Sequence, residues 1–186
     1  MQIFTGVTAV PWSMKPFIGL LSDVCPIGGY SRGPYLAIVT CLAILAYLCV
    51  GIVPTHALVV IGVVICFLLI DFQESTVDLL SEAMYAESIQ TKCPSKGPDL
   101  LTFVWFGMQF MSLFGVGLAG LAVSYLGAKI PYLILLPGAA CILGPIALGY
   151  LEEVRKTPEE VRQARGRLMQ HPELCMLCCV PFVGTL

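Results

Sequence analysis

The sequence predicts an all-α fold, a multi-pass membrane helix bundle of about five spans plus the start of a sixth. Three observations carry that expectation. Hydrophobic residues make up 58% of the 186 residues and charged residues only 12%, and mean hydropathy is +0.88. Uncharged runs recur at lengths that match a bilayer. Lysine and arginine collect in alternate connections between those runs. Such a composition belongs to a chain solvated by lipid. The net charge of −2, with no basic cluster interleaved with aromatics, gives no footprint for nucleic acid.

A spanning helix needs about 20 apolar residues to cross a hydrocarbon core of roughly 30 Å. Pro34–Val53 is a 20-residue run without charge, Leu100–Ala128 one of 29, and Ile130–Leu151 one of 22. Met1–Leu21 is a further run, interrupted by Lys15. It carries no basic n-region and no small-residue cleavage site, so it does not read as a signal peptide. Another run begins at Leu174 and is cut at Leu186. Met1 opens inside apolar sequence, so both ends are expected to be interior cuts of a larger protein. The expected organisation is a helix bundle over 1–150, an inter-half segment over 151–172, and the start of the next membrane helix over 173–186.

The remaining span is the unusual one. Ala57–Ile70 gives 14 uncharged residues, too few to cross. The crossing must continue past Asp71 and Glu74 to about Asp78. At 100° per residue, Asp71, Glu74, Asp78 and Glu82 fall within an arc of about 80°. Carboxylates at bilayer depth are costly and normally face a bundle interior or a wet cavity. A polar pathway along this stripe is therefore expected. The competing reading is a helix that leaves the bilayer early, with solvated acids.

Charge sets the orientation. Lys15, Arg32, Lys92, Lys96, Arg155, Lys156, Arg162, Arg165 and Arg167 lie on one side if the runs alternate, against Lys129 alone on the other. Nine against one predicts that the basic side is cytosolic. The short turns at Pro54-Thr55-His56 and Gly127–Ile130 are then external.

Other features point to packing. Gly107, Gly115, Gly117, Ala119 and Gly120 give the fourth run small residues that let helices approach closely. Pro131, Pro137 and Pro145 should kink the next run. Thr157-Pro158-Glu159-Glu160 forms a capping box that starts a short helix to about Met169. Cys41, Cys49, Cys66 and Cys141 lie in apolar runs and act as small hydrophobes. Cys25 and Cys93 lie in cytosolic loops, where disulfides are not expected. Cys175, Cys178 and Cys179 near His171 lack a second ligand pair at finger spacing. They point to membrane-edge packing or palmitoylation rather than zinc. No metal and no cofactor is expected. With only His56 and His171, and no nucleophile–base pair, an enzyme is not expected either.

The most specific string runs Pro11-Trp12-Ser13-Met14-Lys15-Pro16-Phe17-Ile18-Gly19-Leu20-Leu21-Ser22-Asp23, then Pro26-Ile27-Gly28-Gly29-Tyr30-Ser31-Arg32-Gly33-Pro34-Tyr35. It resembles the folate–biopterin transporter family of the major facilitator superfamily. Gly19-Leu20-Leu21-Ser22-Asp23 followed by Arg32 is similar to the superfamily's cytosolic loop between its second and third helices. Asp78-Leu79-Leu80-Ser81-Glu82-Ala83-Met84-Tyr85-Ala86-Glu87 is similar to that family's acidic signature on the fourth helix. The resemblance is specific from Val10 to Glu87; beyond that it is a hydropathy pattern. Arg32 stands between Ser31 and Gly33, where the family usually has adjacent basic residues.

The resemblance implies a partial major-facilitator half, helices two to six of a twelve-helix transporter, whose missing remainder is the expected partner. It implies a pteridine or folate substrate, moved by proton-coupled alternating access in the plasma membrane or an organelle envelope. Asp71, Glu74, Asp78 and Glu82 become candidates for substrate binding or proton coupling. A carboxylate can accept the paired N–H and amino donors of a pterin ring, or carry the proton. Lys15 is the candidate cation for folate's glutamate tail, or else a lysine that snorkels to the interface. Gly19, Asp23 and Arg32 are candidates for an inner gate. The alternative class is an inactive or partner-dependent membrane fragment with a structural or interaction role.

Overall fold

A computed structural model of the chain describes residues 10–54, 59–92 and 94–149, together with positions 6, 157, 159, 161–163 and 166. Among them the order is α1 (Val10–Ser13), α2 (Lys15–Val24), α3 (Gly33–Ile52), α4 (Val60–Lys92), a 3-10 turn (Pro94–Lys96), α5 (Gly97–Leu126), α6 (Ile130–Cys141) and α7 (Leu143–Ala147). No strand occurs among the described residues. Ile27 and Tyr30 form an isolated bridge. The protein is an all-α membrane bundle. Four helical stretches are long and apolar enough to cross a bilayer: Gly33–Ile52, Val60–Glu87, Gly97–Leu126 and Ile130–Ala147.

Each boundary has a local cause. The run expected over Met1–Leu21 lies partly outside the described residues. Its described part is α1 and α2, separated by a turn at Met14. Pro16 sits in the first turn of α2, where its missing N–H costs nothing, and it cannot continue a helix from α1. Pro34, Pro98 and Pro131 likewise occupy the first turns of α3, α5 and α6. The expected kink in the last run is an interruption at Ile142. Pro145 removes the N–H that would bond the Cys141 carbonyl. The described positions 159, 161–163 and 166 are helical, and the Val161 N–H bonds the Thr157 carbonyl at 3.2 Å. The rest of that helix, the cysteine run with His171, and the span expected from Leu174 lie outside the described residues.

α3 and α4 form the heart of the bundle. The buried side of α3 is Leu36, Val39, Thr40, Ala43, Ala46, Tyr47 and Val50. These steps of three and four make one face of a helix. Small alanines there let α4 lie close. Ala43, Ala46, Tyr47 and Val50 cluster with Cys66 and Ile70 of α4 and Ala139 of α6. α6 closes against α3 at Gly51, where a Cβ would stand 2.5 Å from Leu133 Cδ2. The Lys129 ammonium donates to the Val53 carbonyl and ties the same end together.

The small-residue face of α5 behaves differently from expectation. A Cβ at Gly107, Gly115, Gly117 or Gly120 would meet nothing within 4 Å. Close approach is found instead at Gly51 and at Gly97, where a Cβ would stand 2.7 Å from Ile89 Cγ2. Small residues permit contact but do not supply a neighbour.

Candidate functional site

α4 is one unbroken helix of 33 residues, about 50 Å long at ~1.5 Å per residue. Counted from Val60, Asp71 lies about 16 Å in, Glu74 about 21 Å, Asp78 about 27 Å and Glu82 about 33 Å. All four acids fall inside the candidate span Val60–Glu87, with Asp71 and Glu74 nearer its middle and Asp78 and Glu82 nearer its C-terminal end.

The two faces of α4 divide the work. Cys66, Ile70, Gln73, Thr76 and Leu80 are buried. At 100° per residue, the acidic stripe is centred roughly 140° away from them. Asp71, Asp78 and Glu82 are half-buried and Glu74 is exposed. The acids therefore lie off the centre of the face packed against α3, and Asp78 meets the segment that precedes α3.

Lys15 comes to this stripe from the other side. Its ammonium forms an ion pair with Asp78. The same nitrogen stands 4.2 Å from the centroid of the Trp12 ring. A cation over an indole face is held by the ring quadrupole. Trp12 and Lys15 flank the Met14 turn. Sequence reasoning named Lys15 and Asp78 as separate candidates. The fold brings them together as partners, with Lys15 held by a carboxylate of the chain itself.

The loop after α2 is built around two glycines. Gly28 and Gly29 have φ of +65° and +88°, and Ile27 and Tyr30 exchange backbone hydrogen bonds of 3.0 and 3.1 Å across them. Two successive residues at positive φ are the requirement of a tight hairpin turn. This accounts physically for Pro-Ile-Gly-Gly-Tyr. Tyr35 donates its hydroxyl to the Cys25 carbonyl at 2.7 Å and straps the loop to the start of α3. Arg32 then reaches Glu87 at the far end of α4, with Nη1 to Oε2 at 2.8 Å. Glu87 belongs to the acidic signature, but its role here emerged only from the fold. The acid facing Arg32 lies in this same bundle.

The other gate candidates lie at the same end. Gly19 is on α2, and its carbonyl accepts the Ser22 hydroxyl at 2.8 Å. A Cβ at Gly19 would make ordinary contact with Leu79 at 3.5 Å. Asp23 is exposed in the last turn of α2. Among the described residues no group of three or more His, Cys, Asp or Glu side chains is placed to hold a metal.

Two features escaped sequence reasoning. Tyr47, Phe67 and Tyr132 gather from three helices, with Tyr132 ring centroids 6.5 Å from Tyr47 and 5.7 Å from Phe67. Phe67 shares its helical face with Asp71 and Glu74, four and seven residues on. The spacing of Phe67 from Asp71 was available as a signal; the partners on α3 and α6 were not. The second feature is a set of buried polar side chains on α3 and α4. Thr40, Gln73, Ser75 and Thr76 are buried. Ser75 and Thr76 both donate to the Phe72 carbonyl, while the Thr40 hydroxyl finds no partner.

Comparison with known proteins fits this arrangement. Residues 1–183 match the BT1 family. The chain is 34% identical over 133 residues to a protein named "Probable folate-biopterin transporter 4" of Arabidopsis thaliana, covering 72% of this chain and 27% of that protein. It is 29% identical over 153 residues to "Probable folate-biopterin transporter 6" of the same plant, covering 77% and 28%. It is 35% identical over 79 residues to "Folate transporter 1" of Plasmodium falciparum, covering 42% and 15%. The chain thus spans a little over a quarter of the length of the first two of these relatives. No solved structure matches. With the family match running through almost the whole sequence, over the same helices that carry the acidic stripe and the paired loop, the chain belongs to the BT1 family.

Proposed function

We propose that this chain forms part of a membrane transporter for folate, biopterin or related pteridines. The observation that carries the reading is the placement of Asp71 and Glu74. Two carboxylates lie within the apolar span of α4, off the centre of its α3-facing side and on the face of Phe67, and we take them to sit at middle bilayer depth. Transporters place substrate and coupling-ion sites near the midplane. A carboxylate there accepts the adjacent ring N–H and amino donors of a pterin in bidentate fashion. The names of the relatives supply the substrate class. Movement of cargo by alternating access, driven by a proton carried on one of these acids, completes the proposal.

The basic end of the bundle, with Arg32 and Lys96, is taken as the cytosolic side, and Lys129 as external. The compartment is the plasma membrane or an organelle envelope; one relative is named chloroplastic. Arg32, Asp23 and Gly19 belong in this reading to the inner gate. The chain corresponds to helices two to six, the inter-half segment and the start of helix seven, and works with the rest of the transporter.

The test is Asp71→Asn in the intact transporter, with pteridine binding and pH-driven uptake measured together. As the acceptor, Asp71→Asn weakens binding at every pH by on the order of 1.5–3 kcal/mol, the worth of a charged hydrogen bond. As the proton carrier, the variant still binds and exchanges but loses pH-driven accumulation. Wild-type behaviour in both assays refutes the site assignment.

A second reading is favoured by α5, whose most apolar stretch buries none of its residues. In that reading the chain is a membrane piece with a structural role that acts only through a partner. Co-expression of the 186-residue chain with the remainder of the transporter, with pteridine uptake measured, separates the two, since the structural reading predicts no uptake even then.

A further inference from the structure

We infer that the Lys15–Asp78 pair is an exchangeable contact that selects cargo bearing a carboxylate. This rests on the pteridine reading above and deepens it. Asp78 occupies Lys15 from within the chain, and a cargo carboxylate displaces it.

Four observations support the exchange. Lys15 and Asp78 are paired, yet neither side chain is sealed, with 22% and 19% of their surfaces exposed. An ion competing for Lys15 therefore has access. Trp12 holds the ammonium from its ring face and is itself 45% exposed. Lys15 thus remains in place when Asp78 lets go. Asp78 lies on the same stripe as Asp71, seven residues or roughly 10 Å along the helix. Folate carries its ring at one end and its glutamate at the other, with an aminobenzoyl spacer between. A ring held at Asp71 directs that tail along α4 towards Lys15. Finally, one ammonium between two carboxylates favours whichever is better placed, and the displaced acid, already partly exposed, turns to water. Biopterin has no carboxylate, so it gains nothing from Lys15 and leaves the pair closed.

The consequence is a pair of effects with opposite sign. Asp78→Asn removes the internal competitor and leaves Lys15 charged. Folic acid binding tightens severalfold, while biopterin is unchanged. Lys15→Met removes the cation, and folic acid weakens by roughly tenfold, about 1.4 kcal/mol, again with biopterin unchanged. Lys15→Arg keeps the charge and retains folic acid binding. The experiment measures equilibrium binding of folic acid and of biopterin to the intact transporter in lipid nanodiscs, with thermal unfolding recorded for each variant. A pair that only holds the helices together predicts otherwise: both substitutions weaken both ligands alike, in step with any fall in unfolding temperature. That result overturns the inference, as does weaker folic acid binding by Asp78→Asn. If the unsubstituted protein binds neither ligand, the pteridine reading itself falls, and that outcome is distinct from an altered ratio between the two.

Discussion

Asp78 and Glu87 on α4 stand next to cations brought by the preceding segment, Lys15 and Arg32. Asp71 and Glu74 stand on the same helix, one to four turns earlier, on the face of Phe67, whose ring packs against Tyr132 of α6. All four are acids of one signature-bearing helix, and position along it separates them. At the bilayer edge an acid can be matched by a lysine or arginine whose loop is still in water. At middle depth a charge is expensive and persists where function requires it. The contrast teaches that the C-terminal part of α4 is fastened by ion pairs to the segment before α3, while its earlier acids lie on the face of Phe67.

Four substitutions test that contrast. Lys15→Met has the largest effect on stability. It leaves Asp78 without its cation, which costs on the order of 1–3 kcal/mol. Thermal unfolding in detergent or nanodiscs measures this, and pairing it with Asp78→Met should recover most of the loss, because two matched apolar groups leave no orphan charge. Gly29→Val comes next. A side chain at φ +88° costs roughly 1–2 kcal/mol and loosens the hairpin that aims Arg32. Protease sensitivity of the loop should rise with it.

Glu87→Gln has a smaller effect. Glu87 is 64% exposed, and exposed pairs are worth about 0–1 kcal/mol. Its unfolding temperature should move little, and less still at high salt. Asp71→Asn should have the smallest effect on stability, at or above the unsubstituted value, because it removes a charge from bilayer depth. A marked loss of stability there would mean that the middle acids are fastened too, and the contrast would collapse.

The four spans were legible because hydrophobic length is a property of the chain alone. Pro34–Val53 became Gly33–Ile52, and the run interrupted by Asp71 became one continuous helix, as the need for about 20 residues requires. The acidic stripe was legible because helical rotation is fixed. The hairpin at Gly28-Gly29 was present as a motif, and the positive φ values explain it. The partners were not legible. Lys15 and Asp78 are 63 residues apart in sequence, and Arg32 and Glu87 are 55 apart. Spacing within one helix says nothing about which loop returns to it.

By itself, the sequence determined the solvent, the rough limits of the four spans found among the described residues, and the face on which the acids lie. Those follow from hydropathy and from 100° per residue, which need no neighbour. Only the tertiary structure decided that Lys15 is held by Asp78 and Trp12, that Arg32 meets Glu87, and that Tyr47, Phe67 and Tyr132 gather from three helices. It also decided that α3, rather than the glycine-rich α5, packs most closely on α4. Small residues and charges state what a helix can accept, and packing chooses among the neighbours that arrive. That choice depends on how all the helices share one limited set of close contacts, and no single segment contains it.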